Sequence, residues 1–427
     1  MTVTCEDMID IAIKAGSIVL ENGGETYRTE ETVETIAKAL GAKTASSFVT
    51  PTVIQFSYTD NNNHYHSAIR RIKKRTVNLK KIAMIDSLKR KISQRNKLTS
   101  SRQIESLLSF INKTPDYSKA LVLLTAGLSS FSFSLMFGGN LREAVCAFFI
   151  GFLLRFFLFF TEKFHLASFF STLLSGALIS ILTEAISLTG FIQNTDNILI
   201  SVLMQVVPGL AITNAIRDII SGDLVSGTAR LVDAFMIAAG LSIGSVSGMI
   251  LFGKLGLIAS ASPLADEVSQ IAQSAGQTAN AASLSYASQL VLASIYAAGA
   301  AGFSCFYMNT AIRDIFYGAL TGAAGWIVFK LTDSYFAASF TVGFISVITN
   351  WITRRPATVF MLPGLLPLVP GGGMFYTMRH AVQGSMKLSA STGFETLSAA
   401  GAIAFGIALA SSLQKIVSDI GKIKASK

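Results

Sequence analysis

Charged residues are scarce in this sequence of 427 residues, at 14% of the chain, whereas soluble domains carry about 25%. Hydrophobic residues reach 51%, and the mean hydropathy is +0.52. Whole segments after Lys119 contain no charge. This composition excludes an ordinary soluble globule and indicates a polar N-terminal part followed by a membrane part.

The motifs of enzymes and ATP-driven pumps are missing as well. The sequence has no G-x-S-x-G motif and no phosphate-binding loop, so it predicts neither an enzyme nor a cofactor. Cys5, Cys146 and Cys305 are scattered without a C-x-x-C pair and indicate neither a disulfide nor a metal site. His64 and His66 lie on a polar turn, where we expect solvated side chains instead of metal ligands.

The first 118 residues predict a small α+β domain with a basic linker helix. Two helical patterns precede one or two short strands within residues 46–60, and a basic helix follows from about Thr76 to Arg95. The acidic start has no apolar segment of signal-peptide type, so we expect this domain to stay in the cytoplasm. From Arg70 to Arg102, thirteen Lys/Arg face only Asp86, and beside membrane spans this favours anionic lipids over nucleic acid.

Apolar runs of roughly 16–25 residues follow Lys119, near the ~20 residues that cross a ~30 Å hydrocarbon core. We expect an extracytoplasmic loop at 253–285 between two five-helix modules, 119–252 and 286–413, and a basic tail at 414–427. The Lys/Arg distribution places both termini in the cytoplasm of a multi-pass cell-membrane protein. The ten predicted crossings are 119–137, 142–160, 166–189, 197–216, 228–252, 286–306, 312–329, 335–352, 357–378 and 391–413.

A repeated pattern relates the two modules. Aligning the Pro-Gly pairs gives a constant offset of 162, and upstream an Arg-acid-x7-Gly pattern recurs at an offset of 171. Because each module holds five crossings, an odd number, we expect the second module to lie inverted relative to the first. The matched positions are Pro208 with Pro370, Gly209 with Gly371, Arg217 with Arg379, Asp233 with Glu395, Gly244 with Gly406, and Arg142 with Arg313.

The Pro-Gly pairs predict breaks inside apolar helices. Such a break frees backbone polar groups that hydrocarbon cannot satisfy, and it is tolerated where those groups line a cavity. Matched breaks in two repeats therefore indicate the binding site of a secondary transporter, with the two breaks facing one another. A proline kink without function is the alternative. The predicted substrate-binding residues are Gln205, Pro208, Gly209, Pro370, Gly371 and Gly372.

Acids within the apolar runs are the candidates for proton coupling. A carboxylate at the centre of a membrane helix costs about 2.5–3.5 kcal/mol on insertion scales. Asp233 and Glu395 are therefore predicted to carry a proton or bind a substrate ammonium, with Glu184 as a candidate that has no repeat partner. The alternatives are headgroup-level acids or ion pairs with arginines. The arginines expected in charge pairs are Arg142, Arg217, Arg313 and Arg379.

The N-terminal motifs carry a resemblance to a known family. They read "ENGGETYRTEETVETIAKALGA", then "SFVTPTVIQFS" and "RRIKKRTVNLKKIAMIDSLKR". Over essentially its whole length the chain resembles the threonine/serine exporter family, which implies proton-motive-force-driven efflux of small hydroxy amino acids. Relatives that split the two modules are associated with dicarboxylate (succinate) export, whereas this chain is fused. The family pattern falls here on Gly23, Gly24, Glu25, Thr26, Arg28 and Glu30.

The sequence thus predicts a polytopic α-helical membrane protein of ten crossings, arranged as two inverted five-helix repeats behind a cytoplasmic α+β domain. Its expected function is secondary export of threonine or serine by proton antiport. A dicarboxylate exporter and a non-transporting ligand sensor are the alternatives. Expected partners are the solute, protons and anionic lipids, and a homo-oligomer stays open. Glu25, Arg28 and Glu30 form either a salt-bridged helix start or a gating contact with the membrane part.

Overall fold

A computed structural model describes residues 4–74, 76–93, 100–164, 166–192, 194–254 and 286–425. Apart from its first two residues, the predicted loop at 253–285 lies outside these ranges. The side chains of the predicted basic tail, 414–427, also lie outside the described part of the chain.

The N-terminal part combines four helices with a three-stranded antiparallel sheet in the order β1-β2-β3. The third strand was not predicted, because its sequence is polar and basic and none of its side chains is fully buried. Apolar side chains of the first two helices pack against Phe56 and Tyr58 of the second strand. The elements are α1 (Cys5–Glu21), α2 (Thr26–Leu40), β1 (Thr44–Thr50), β2 (Val53–Thr59), β3 (Tyr65–Arg71), α3 (Leu79–Ser93) and α4 (Ser101–Lys113).

Helix α3 is the predicted basic helix, and it fastens the N-terminal part to the membrane part. The backbone N–H groups of Leu79 and Lys80 donate to the carbonyls of Met308 and Asn309 at 3.0 and 2.9 Å. Leu79, Ile82 and Ala83 at the start of α3 belong to the same buried cluster as residues of the second module, whereas the later apolar residues of α3 belong to the core of the N-terminal part. The described part of this helix is therefore docked on protein through its apolar face.

Eight of the described helices are long and apolar enough to cross a membrane. The chain is therefore a multi-pass helical membrane protein. These helices are α5 (Lys119–Met136), α6 (Leu141–Lys163), α7 (Ser168–Ser187), α10 (Leu224–Phe252), α11 (Tyr286–Tyr307), α12 (Ile312–Thr332), α13 (Tyr335–Thr353) and α16 (Met386–Ala425).

The fourth and ninth predicted crossings are each divided into two short helices. Pro208 and Pro370 are the N-caps of the second helix in each pair, which is a position where proline removes no intrahelical hydrogen bond. A total of ten crossings is reached only if each pair of short helices crosses the membrane as one unit. That total therefore stays a prediction. The short helices are α8 (Thr195–Leu203), α9 (Gly209–Ile220), α14 (Thr358–Leu365) and α15 (Gly371–Val382).

The same close helix contact occurs in both modules. A Cβ on Gly244 of α10 would lie 1.8 Å from the carbonyl oxygen of Leu173 in α7. A Cβ on Gly406 of α16, the matched glycine, would lie 2.7 Å from the carbonyl oxygen of Phe336 in α13. Each glycine lets the last helix of its module approach the backbone of the third, as small residues do between membrane helices.

Candidate functional site

The two helix breaks lie in contact with each other. A Cβ on Gly209 would lie 2.2 Å from Val369 Cγ1 and 3.1 Å from Gly371 Cα. A Cβ on Gly371 would in turn lie 2.5 Å from Val207 Cγ2. As expected, the helices are interrupted at both Pro-Gly pairs and the two interruptions face one another. Their role in substrate binding stays a prediction. Glycine is needed at both positions because any side chain would force the two breaks apart.

Gly372 differs from its neighbour in having free space beside it. The heavy atom nearest to a Cβ on Gly372 is Ile200 Cγ2, at 3.8 Å, which is an ordinary van der Waals contact. The contact between the breaks is therefore tight at Gly371 and open one residue later.

Gln205 lies in the linker between α8 and α9, and its side chain is held by α5 and α6. Its Nε2 donates to Ser130 Oγ at 2.9 Å, to the Gly151 carbonyl at 3.1 Å and to the Ala126 carbonyl at 3.3 Å. The Gln205 amide thus hydrogen-bonds neighbouring helices, and its predicted role in substrate binding stays a prediction. Its Oε1 accepts a hydrogen bond from Arg155 Nε at 3.3 Å.

Arg155 was not among the site residues predicted from the sequence. It lies within α6, in the apolar segment "FFIGFLLRFFLFF", and a charge in such a run is a functional candidate by default. Its guanidinium carbon lies 4.7 Å from the centre of the Tyr307 ring. Its position as a single charge in an apolar segment could have identified Arg155 from the sequence.

Arg217 joins the first broken crossing to the N-terminal family motif. Its Nη2 lies 2.6 Å from Glu25 Oε1 and donates to Tyr27 OH at 2.9 Å. Arg28 Nε lies 3.4 Å from the other oxygen of Glu25. Glu25 is 3% exposed and Arg217 5%, so this ion pair is buried where α9 ends. Glu25 thus contacts the membrane part, while Arg28 adds a bond within the domain. A gating role for this contact stays a prediction.

The other motif residues shape the domain itself. Gly23 has a φ of +90°, which favours glycine, and a Cβ on Gly24 would lie 2.7 Å from the Val19 carbonyl oxygen. Thr26 is fully buried at the start of α2. Glu30 accepts a hydrogen bond from the backbone N–H of Val49 in β1 at 2.9 Å. These four residues hold the turn and the sheet that present Glu25 to Arg217.

The charge state of Glu25 follows from its surroundings. Burial alone would raise its pKa, but Arg217 and Arg28 outweigh burial and lower the pKa from 4.5 to about 2. Since the folded-state pKa lies below the ordinary value, the ion pair contributes its full stability above pH 4.5. That contribution is lost as the pH falls from about 4.5 towards 2.

We therefore expect the docking of the N-terminal domain to be insensitive to pH between 8 and 5, and to weaken below about pH 4.5. Hydrogen exchange of α2, corrected for the intrinsic exchange rate at each pH, measures this. The Glu25→Gln variant, which cannot ionise at this position, should lose that step in the profile. Undocking between pH 7 and 5 in the wild-type protein would contradict the assignment.

Arg379, the matched arginine, has a different acid as its partner. Its Nη1 lies 3.4 Å from Asp196 Oδ1, in the first turn of α8, and its guanidinium lies 5.9 Å from the Tyr376 ring centre. Glu184 is half-buried near the end of α7, and its role in proton coupling stays a prediction. Asp196 was not predicted as a partner of Arg379, although acids are favoured in the first turn of a helix, where Asp196 lies.

Arg142 and Arg313, the other arginines expected in charge pairs, are both exposed. Neither forms an ion pair within the part of the chain that the structure describes; Arg142 lies 5.5 Å from the Phe191 ring centre. In each copy of the Arg-acid-x7-Gly pattern it is the acid that is buried, Glu143 in the first copy and Asp314 in the second. A helix N-terminus favours acids over bases, and Glu143 completes a capping box there.

Asp233 and Glu395 lie in different surroundings despite their matched positions. Asp233 is half-buried in α10, whereas Glu395 is exposed on α16 beside Phe394. Arg217 pairs with Glu25, and Arg379 pairs with Asp196. An ion pair between Glu395 and either arginine, which was one alternative, is therefore not present among the described residues. A role of the two acids in proton coupling stays a prediction.

One group of side chains could hold a metal ion. Single ligand atoms of Cys5, Asp60 and His66 lie within 4.8 Å of one another. However, Asp60 Oδ1 accepts hydrogen bonds from the backbone N–H groups of Asn62 and His64, both at 2.8 Å. These bonds account for the position of Asp60 in the turn without an ion, so the group gives no independent indication of a metal.

The sequence matches two family models in succession. Residues 10–252 match the threonine/serine exporter model ThrE, and residues 289–413 match a second one described as "Threonine/Serine exporter, ThrE". Two curated relatives are named "Probable succinate transporter subunit YjjP". The one from Klebsiella aerogenes is 25% identical over 58% of this chain and 94% of its own length; the one from Escherichia coli is 24% identical over 58% and 96%. No solved structure matches.

Proposed function

The chain belongs to the threonine/serine exporter family, and from this premise we propose that it exports threonine and serine by secondary transport driven by the proton motive force. The family and the apolar helices make it a multi-pass membrane exporter. The observation that carries the finer proposal is the contact between the breaks at Gly209 and Gly371.

The contact supports a solute site for a physical reason. Helices α9 and α15 both begin at the breaks, and the first N–H groups of a helix have no intrahelical partner and attract negative charge. Two such ends meeting among apolar helices provide polar groups that a small zwitterion or anion can bind. The discontinuous helices of secondary transporters are used in this way.

We further propose that the two modules are inverted repeats and that each broken pair counts as one crossing. The matched contacts of Gly244 and Gly406 support the repeat, as do the matched N-cap prolines. Inversion lets one module rock against the other around a fixed site, which alternates access between the two sides of the membrane. In the proposed orientation, both termini lie in the cytoplasm of a cell-membrane protein.

The N-terminal domain has the position of a gate in this proposal. The buried Glu25–Arg217 pair fixes the end of α9 to the domain. Because α9 starts at the break, a movement that separates the pair would also reposition the site. The other end of the pathway has Arg379 and Asp196 in a comparable position, at the end of α15 and the start of α8.

A dicarboxylate exporter is the second candidate. The observation in its favour is that both relatives are named as probable succinate transporter subunits. Succinate and threonine share a carboxylate, so one site could accept either class with a change in the remaining contacts.

Counterflow by the purified full-length protein in liposomes tests the proposal. We expect labelled threonine to exchange against unlabelled threonine and serine, and an imposed proton gradient to drive net flux. Exchange of succinate alone would establish the second candidate. A reconstituted, folded protein that moves neither amino acids nor dicarboxylates would contradict export and favour a ligand sensor.

Amide variants of the two acids test the coupling. If Asp233 or Glu395 carries the proton, Asp233→Asn or Glu395→Gln should abolish gradient-driven flux while solute exchange continues, because the amide cannot titrate. Gradient-driven flux at the wild-type rate in both variants would remove these acids from the mechanism. The difference in burial favours Asp233 over Glu395 as the carrier.

A further inference from the structure

We propose that Arg155 binds the carboxylate of the transported solute, in a site that it forms with Gln205 and Tyr307. The inference rests on the proposed function, since it identifies the chemical group by which the site recognises its solute.

The depth of Arg155 in its helix is the first observation. It lies eight positions before Lys163 and fourteen after Leu141, which is about 12 Å and about 21 Å at 1.5 Å per residue. Helix α6 is one of the helices able to cross a membrane, so this charge lies within the depth of the hydrocarbon core. A charge at that depth is costly unless it faces the protein interior and has a partner or a function.

The missing counter-charge is the second observation. Arg217 and Arg379 each have a carboxylate oxygen nearby, at 2.6 and 3.4 Å. Within the described residues, no carboxylate oxygen lies within 4.0 Å of the Arg155 guanidinium, and its buried Nη2 has no hydrogen-bond partner. The two groups in contact with it, the Gln205 amide and the Tyr307 ring, are neutral. Glu162, seven positions further along α6, is an acid whose charge reaches Arg155 without forming an ion pair. The site therefore lacks one anion with which to pair.

The neighbouring groups are held in place before any solute arrives. Three acceptors fix the Gln205 amide nitrogen, so its oxygen faces Arg155 Nε. A Cβ on Gly151 would lie 2.8 Å from that nitrogen, so this glycine makes room for the amide. Tyr307 OH donates to Ser304 Oγ at 2.6 Å, which anchors the ring under the guanidinium. A fixed guanidinium edge matches the two oxygens of a carboxylate.

The position of Gln205 connects this site to the helix break. It lies three residues before Pro208, in the linker from α8 to α9. A solute carboxylate on Arg155 would therefore lie beside the part of the chain whose movement the transport cycle requires. The α-carboxylate of an amino acid and one end of a dicarboxylate present the same group.

The test compares a carboxylate with its neutral amide. In the reconstituted full-length protein, wild type should bind threonine about 100-fold more tightly than threoninamide, since a lost partner leaves the charge unpaired. Arg155→Gln should weaken threonine binding about 100-fold and remove the preference over the amide. Arg155→Lys keeps the charge but loses the paired N–H donors of the guanidinium, so it should weaken threonine binding about tenfold. Arg142→Gln, at the exposed start of the same helix, should stay within twofold of wild type.

The outcomes separate the inference from the function. If wild type exchanges threonine and Arg155→Gln binds it with an unchanged Kd, the inference is wrong while export stands. If wild type moves no solute, the proposed function itself fails. Should Arg155→Gln not fold, equal affinity of wild type for threonine and threoninamide still overturns the inference. Succinate and succinamide, run in parallel, show which carboxylate source the site takes.

Discussion

Replacing Glu25 by Gln is expected to release the N-terminal domain from the membrane part and to lower export at least tenfold, while the membrane helices stay folded. The reason is that the variant leaves Arg217 buried without its charge partner, and breaking a buried pair from one side costs about 3–5 kcal/mol. Hydrogen exchange of α2 and α3 measures the release, and counterflow measures the transport.

Two further variants show whether the ion pair is the cause. Glu31→Gln removes an exposed carboxylate of α2 that lies 3.0 Å from Lys89 Nζ. Since Lys89 keeps Asp86 as a partner at 3.5 Å, this change should cost less than about 1 kcal/mol. Replacing both partners by apolar residues, as in Glu25→Leu with Arg217→Met, should recover part of the docking that the single change loses. If the domain docks as tightly in Glu25→Gln as in wild type, the Glu25–Arg217 pair is not what holds it to the membrane part.

Adding one methyl group at Gly371 is expected to impair transport more than tenfold. In Gly371→Ala the new Cβ would lie 2.5 Å from Val207 Cγ2 and 3.1 Å from Val207 Cβ. The two breaks must then move apart, and overpacking of this kind costs about 1–3 kcal/mol. Thermal unfolding and counterflow of the purified protein measure the two effects.

The structure provides a matched control and a matched rescue for this variant. Gly372→Ala makes the same chemical change one residue later, where the nearest atom is 3.8 Å away, so its thermal stability should equal that of wild type. Val207→Ala removes the clashing methyl groups and should restore transport to Gly371→Ala. If the double variant is no better than the single one, contact between the breaks is not what limits transport.

Local sequence rules predicted the features that depend on local chemistry. The apolar runs gave the long helices, and Pro208 and Pro370 gave the two interruptions, because proline and membrane burial restrict a segment whatever surrounds it. The third strand, from Tyr65 to Arg71, was not predicted because it is polar and largely exposed. Its pairing with β2 is determined by tertiary contacts and not by its own sequence.

The charge partners could not be read from the sequence. Glu25 and Arg217 are 192 positions apart, and Asp196 and Arg379 are 183, and no spacing rule connects such residues. The repeat pointed to the arginines but not to their acids, because those acids come from the N-terminal domain and from the other module. Arg155 was visible as a lone charge in an apolar helix. Its lack of a counter-charge became apparent only in three dimensions.

Protection of a thiol at Gly372 tests most directly the claim that the solute passes the contact between the breaks. Gly372→Cys, made in a chain whose Cys5, Cys146 and Cys305 have been replaced and which still performs counterflow, places a small reactive group in the open space there. At ten times its Kd, threonine should slow maleimide labelling about tenfold, because only the empty site reacts. Labelling that saturating threonine does not slow, in a protein that still exchanges it, would contradict the account.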